Sequence, residues 1–203
     1  MKISTLDKKM QKRAAAVAAA AFFDYPMMQY YFPDAGKRRH ALPWYMDKTL
    51  ACAMRYGEVL VTEDCTGVMF VLPPCHVRLT DAEYIKGGFL LVPFVMGFGN
   101  YKKSGECEQF VADTHERLMN GREHYYLWGL VADPAAQHSG VGKALLTTLT
   151  EKADAEGMPI YLETHDQRNV AYYKQFGFEL VCEVTIPVHG LDLWCMVRNS
   201  SVL

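Results

Sequence analysis

Three absences narrow the reading of this chain before any motif is weighed. No charge of one sign dominates: 21 Lys and Arg stand against 23 Asp and Glu, a formal net charge of −2. That leaves no electrostatic footprint for nucleic acid or an anionic membrane surface, and neither partner is expected. The basic clusters Lys8-Lys9 with Lys12-Arg13, and Lys37-Arg38-Arg39, are short and read as solvated faces. The cysteines at 52, 65, 75, 107, 182 and 195 contain no Cys-x-x-Cys spacing. A zinc site therefore has no support and no metal is expected, while a disulfide framework is out of place in a chain this large; the reading is a reducing, cytoplasmic setting. No apolar run is long enough to span a membrane. The stretch from Lys8 to Arg13 followed by Ala14 to Ala21 imitates a secretory signal. Alanine, however, is a strong helix former and weakly hydrophobic, and Leu6, Met10, Val17 and Ala21 fall on one face of an amphipathic helix.

What is present is enough apolar mass for one globular domain over residues 1–203: half of the residues are hydrophobic and 22% are charged. Periodicity predicts a helix over about residues 5–22, a Tyr- and Phe-rich loop to Asp34, and a second helix from about Lys37 to Tyr56, ended by Gly57. Glu58 to Thr62 and Gly67 to Leu72 read as a hairpin closed by Pro73-Pro74. An apolar stretch from Asp81 to Lys103 is broken by Gly87-Gly88, Pro93, Gly97 and Gly99, and a helix is expected from Glu106 to Asn120. Tyr125 to Ala132 reads as a buried strand stopped by Asp133-Pro134, Ile160 to Thr164 as a second strand, Asn169 to Phe176 as a short helix with Gly177 at its end, and two further strands close the chain. The adjacent Cys75 and His76 invite a nucleophile–base reading, but neighbouring strand residues point to opposite faces and the pair is set aside.

The most informative segment is Gln137-His138-Ser139-Gly140-Val141-Gly142, because it lies between a strand and a helix. Val141, Leu145, Leu149 and Ala153 mark one face of that helix, and Gly157 and Pro159 follow its end. The first turn of a helix offers N–H groups without intrahelical partners and a positive dipole end, and glycines let an anion approach them. A dinucleotide-binding fingerprint would need a third glycine where Leu145 stands, and no Gly-Lys-Ser/Thr follows to make a nucleoside-triphosphate loop.

Gln137, Gly140 and Gly142, followed by Asn169, Ala171, Tyr173, Gly177 and Phe178, resemble the two C-terminal motifs of the GCN5-related N-acetyltransferase (GNAT) superfamily. Leu162-Glu163-Thr164, Arg168-Asn169 and Trp194-Cys195-Met196-Val197-Arg198 look like its puromycin N-acetyltransferase branch, as more loosely do Ala21 to Pro26 and Glu58 to Asp64. The resemblance implies an α/β (α+β) fold with a mixed, splayed central sheet flanked by helices. It also implies acetyl transfer from acetyl-coenzyme A to a primary amine of a small molecule by direct attack.

By that resemblance the pyrophosphate lies on the segment from Gln137 through Gly140, Val141 and Gly142, with Gln137, Gly140 and Gly142 at the defining positions; His138 and Ser139 add donors, Lys143 pairs with a phosphate or faces solvent, and the pantetheine arm pairs with backbone around Leu130, Val131 and Ala132. Asn169 caps the last helix or bonds the arm, and Tyr172 packs or touches the cofactor. A base would neutralise the amine, and Glu163 is the candidate; a phenol suits the departing thiolate, and Tyr173 holds the family position. Phe22, Phe23, Tyr25, Tyr30, Tyr31, Phe32 and Trp44 would wall the acceptor cleft, pack in the core, or meet a partner in a homodimer. A non-catalytic acyl-coenzyme A binding module and a peptide or protein amine acetyltransferase are the alternatives.

Overall fold

The computed structural model describes residues 1–136, 139–187 and 189–200. A seven-stranded sheet runs in the order β1-β2-β3-β4-β5-β7-β6, with helices on both faces. In chain order the elements are β1 (Ile3–Thr5), α1 (Gln11–Ala21), α2 (Pro26–Tyr31), α3 (Ala35–Tyr56), β2 (Glu58–Thr62), β3 (Gly67–Leu72), α4 (Asp81–Gly87), α5 (Val92–Met96), α6 (Phe98–Met119), β4 (Tyr125–Ala132), α7 (Val141–Ala155), β5 (Ile160–Thr164), α8 (Arg168–Lys174), β6 (Glu179–Ile186) and β7 (Leu191–Arg198). Five of the six strand pairs are antiparallel; β4 and β5 run parallel.

Strand β3 shows why the sheet is a central layer. Its residues Gly-Val-Met-Phe-Val-Leu are all buried, as a strand covered on both faces requires. Val68, Phe70 and Leu72 join the larger core cluster with α1, α3 and α6, including Ala18, Leu42, Leu50 and Val111. Met69 and Val71 join the second, with Leu145, Leu146 and Leu149 of α7 and Phe178. A Cβ on Gly67 would sit 2.2 Å from a Val141 methyl, so this glycine lets the start of α7 press against the sheet.

Four expectations are corrected here. The first helix does not begin at residue 5: Ile3–Thr5 pairs antiparallel with β2, and a 3-10 turn over Lys8–Met10, capped by Asp7, precedes α1. The aromatic loop contains α2, opened by Pro26 at its first position, where a missing N–H costs nothing. The broken stretch after Asp81 is helical for most of its length, and α6 starts at Phe98, well before Glu106, with Gly99 and Gly105 inside it. Asn169 does not cap the last helix: α8 begins at Arg168, and Asp166 Oδ1 accepts the Arg168 N–H (3.0 Å).

The feature that positions the site is the short contact between β4 and β5. They pair only through Tyr125 with Ile160 and Tyr126 with Tyr161, and from there the strands part. The rest of β4 keeps β3 on one edge and leaves the other open.

Candidate active site

A bulge decides which backbone groups face the opening. The β3–β4 register passes from Gly129 opposite Phe70 to Leu127 opposite Val71, which leaves Trp128 as an extra residue. Tyr125 N–H donates to Pro159 O on the β5 side (2.8 Å), whereas Asp133 N–H donates to Thr66 O on the β3 side (2.7 Å). Residues an even number apart on a regular strand present N–H to the same edge, so the bulge has inverted the order. Counting back from Asp133, the N–H groups of Leu130 and Ala132 face the open edge and that of Val131 faces β3. The Val131 side chain is buried.

On the far side of the opening, Glu163 of β5 is held by Tyr126 of β4, whose hydroxyl donates to Glu163 Oε1. Its Oε2 is buried and makes no hydrogen bond among the described residues. Burial pushes the Glu163 carboxyl up to about 7; the Tyr126 hydrogen bond opposes this and the nearby Glu108 carboxyl adds to it. Tyr173 of α8 is 9% exposed, and its hydroxyl has no hydrogen-bond partner among the described residues. Burial, with Tyr25, Tyr172 and Glu163 nearby, holds that phenol well above its usual range, and therefore protonated.

Glu163, Tyr173, Leu130 and Asn169 line one cavity of about 410 Å³. Tyr173 packs in the second core cluster while Tyr126 and Trp128 pack against the first, so the gap between β4 and β5 joins the two faces of the sheet. Asn169 Nδ2 donates to Thr164 Oγ1 (2.9 Å). Tyr25 completes this end: its hydroxyl accepts the His165 N–H (2.7 Å) and lies 3.1 Å from Thr164 Oγ1. Of the aromatic residues of the first loop, Phe22, Tyr25 and Tyr31 line the cavity. Phe23 instead stacks under Arg38, 4.6 Å from ring to guanidinium.

The glycine segment opens α7 as expected. Gly140 is its N-cap at φ 86, and the first helical bond runs from Ala144 N–H to Gly140 O (3.0 Å). The N–H groups of Val141, Gly142 and Lys143 therefore lack helical acceptors. A Cβ on Gly142 would lie 2.8 Å from the Tyr172 hydroxyl, so the bare backbone and that phenol form one cradle, which fits a pyrophosphate. Lys143 is exposed. Ser139 is a correction: its hydroxyl donates to Ala136 O (2.6 Å) and its N–H points to the same carbonyl (3.3 Å), so both donors are spent within the loop. Gln137 and His138 lie outside the described residues.

Sequence reasoning missed Tyr126, Glu108 and His165, all of which line the cavity. Tyr126 follows only from the parallel pairing that sets it beside Tyr161. Glu108 reads in sequence as an ordinary helical acid; the signal that finds it is the hydroxyl of buried Tyr31, 2.5 Å away. Among the described residues no group of three or more His, Cys, Asp or Glu side chains is arranged to hold a metal ion, and no helix is long and apolar enough to cross a membrane.

Residues 83–178, which carry β4, the glycine segment, β5 and α8, match the model of the acetyltransferase (GNAT) family. This is a GNAT fold. The histone acetyltransferase HPA2 and related acetyltransferase of Corynebacterium glutamicum superposes with a TM-score of 0.67 at 16% identity, covering 100% of this chain and 97% of that one. The ribosomal-protein-S18-alanine N-acetyltransferase of Escherichia coli gives 0.56 at 16% identity, covering 100% and 95%. In sequence, the uncharacterized N-acetyltransferase C550.08 of Schizosaccharomyces pombe is 22% identical over 183 residues, 88% of this chain and 74% of that protein. The GNAT match covers residues 83–178, and the likeness in fold extends over the whole chain.

Proposed function

We propose that this chain transfers an acetyl group from acetyl-coenzyme A to a primary amine of a small molecule by direct attack, with Glu163 as base and Tyr173 as acid. The observation that carries the proposal is the meeting of an unpartnered Glu163 oxygen and an unpartnered Tyr173 hydroxyl in one cavity at the parting of β4 and β5. The thioester supplies the acyl group and the thiolate that leaves. Val141, Gly142 and Lys143 N–H groups and the Tyr172 hydroxyl would hold the pyrophosphate, and the Leu130 and Ala132 N–H groups would meet the pantetheine arm and the acetyl oxygen.

A carboxylate near pH 7 in affinity for protons is matched to an amine that must lose one before it attacks. Tyr173, held protonated, delivers its proton to the departing sulfur and is reprotonated from the cavity. Replacement by phenylalanine is expected to lower kcat by about 10- to 100-fold while acetyl-coenzyme A affinity, read by calorimetry, stays within about 3-fold. Unchanged turnover would remove the acid assigned here.

Calorimetry also tests the donor site. Gly142→Glu sets a carboxylate against both the Tyr172 hydroxyl and the pyrophosphate, and acetyl-coenzyme A affinity is expected to fall at least about 10-fold. Native protein that fails to bind acetyl-coenzyme A would end the proposal. The finer placement, in the puromycin N-acetyltransferase-like branch, rests on Leu162-Glu163-Thr164, Arg168-Asn169 and Trp194 to Arg198, and an amine screen that includes puromycin tests it.

A further inference from the structure

The acceptor cavity is lined by acids, Asp81, Glu108 and Glu163, and by no Lys or Arg to balance them. Glu108, from α6, is the acid the acetyl-transfer chemistry does not use. Its Oε1 accepts the Tyr31 hydroxyl at 2.5 Å, Tyr31 is 1% exposed, and no cation is paired with the carboxylate among the described residues. Glu108 is exposed and lines the cavity, so its carboxylate is open to a ligand although many protein atoms surround it. Burial pushes its carboxyl up and the Tyr31 bond pulls it back.

Two unpartnered polar groups point the same way. Glu163 Oε2 is buried and makes no hydrogen bond of full geometry, with the Tyr161 hydroxyl in its vicinity. His165, 4% exposed, lines the cavity; Nδ1 faces Asp192 O at 2.7 Å and must donate there, so Nε2 carries a lone pair, and it has no partner. These free atoms are acceptors, and they want a donor-rich ligand.

The walls add to the field. Tyr45, Tyr84 and Trp128 present rings to the same space, and aromatic faces attract cations. Gly105, three residues before Glu108 on α6, also lines the cavity, and a Cβ built on it meets nothing within 4 Å. Space is thus left open next to the carboxylate. A carboxylate that faces aromatic walls with no cation beside it offers a ligand ammonium group a charge-assisted hydrogen bond.

We propose that the acceptor is a dibasic amine on an apolar or aromatic body. One nitrogen reaches Glu163 and is acetylated, while the second stays protonated against Glu108. Glu108 is on this account a specificity-determining residue that never exchanges a proton with the reacting nitrogen. The inference rests on the acetyl-transfer reading for its word acceptor, and the test separates the two.

The test compares p-xylylenediamine with 4-methylbenzylamine, which share a ring and differ by one ammonium group, in calorimetric binding and in steady-state acetylation by the full chain at pH 7.5. The diamine is expected to bind at least about 10-fold more tightly and to show a correspondingly lower KM with similar kcat. Glu108→Gln, which still accepts the Tyr31 hydrogen bond, should bring the ratio of the two affinities close to one. Equal binding of the two amines by the unmodified protein overturns the proposal even if the variant does not fold. So does a Glu108→Gln variant that lowers kcat for both amines alike, since that would place Glu108 in the chemistry. Preferential diamine binding without any acetyl transfer would overturn the proposed reaction and leave recognition by Glu108 standing.

Discussion

Glu163→Gln should lower kcat/KM by about 10²- to 10⁴-fold, the range a positioned base contributes, and should do so while making the protein more stable at alkaline pH. The kinetic half follows from the carboxyl's position at about 7. In the unmodified protein log kcat/KM rises with pH as Glu163 loses its proton and levels off above about 7. The glutamine variant loses that limb. The stability half needs its sign worked out. The folded-state value lies above the ordinary 4.5, so the native state binds the proton more tightly than the unfolded chain does. Stability therefore falls as pH rises from about 4.5 to 7, and the full cost is present above that window. The bound on this cost is about 3 kcal/mol at 1.36 kcal/mol per unit. Gln keeps an oxygen for the Tyr126 hydroxyl and removes the charge. Urea unfolding at pH 8 should show the variant more stable than the native chain, and at pH 4 the advantage should vanish. An acid limb that survives the substitution, or a variant less stable at pH 8, would assign the base elsewhere.

Gly129→Ala is expected to be the most damaging single methyl in the site. A Cβ there would lie 2.0 Å from Phe70 Cζ and 2.5 and 2.6 Å from its ring neighbours. Phe70 is 3% exposed and stands edge-on to Trp128, with centroids 5.7 Å apart, so the ring is blocked on that side and can yield only into the cavity that it lines. Overpacking of this kind costs about 3 kcal/mol, or about 6–12 °C in Tm for a chain of this length. The cause can be isolated by a cycle. Phe70→Ala alone leaves a hole and destabilises, but in its presence Gly129→Ala should cost less than about 1 kcal/mol. If the two losses simply add, the ring is not what excludes the methyl.

The middle strands were legible because they are β-rich apolar runs bounded by turn residues: β2, β3, β4 and β5 occupy the spans their sequences suggest. Elements escaped where local signals conflict with tertiary packing. Strand β1 is three residues at a sheet edge, with nothing but its pairing to β2 to define it. Gly99 and Gly105 argue against helix locally, yet α6 runs through both because Ser104, Cys107, Val111 and His115 are buried along its length. The candidate site divides in the same way. Gly140, Gly142, Tyr172, Tyr173 and Glu163 follow from motif spacing and resemblance. Tyr126, Glu108 and His165 do not, since each depends on a partner far away in sequence: Glu163, Tyr31 and Asp192 respectively.

The gap between β4 and β5 bears on the traffic of reactants. A central sheet ordinarily walls one side of a protein from the other. Here the wall has an opening, with the α7 cradle and Tyr172 packed on one side and the acid-lined cavity on the other. On the proposed reaction, the acyl donor would lie along the cradle side and the amine on the cavity side, and the two would meet inside the sheet layer. The proposed direct attack would then need no carrier to ferry the acyl group, because donor and acceptor would share one place.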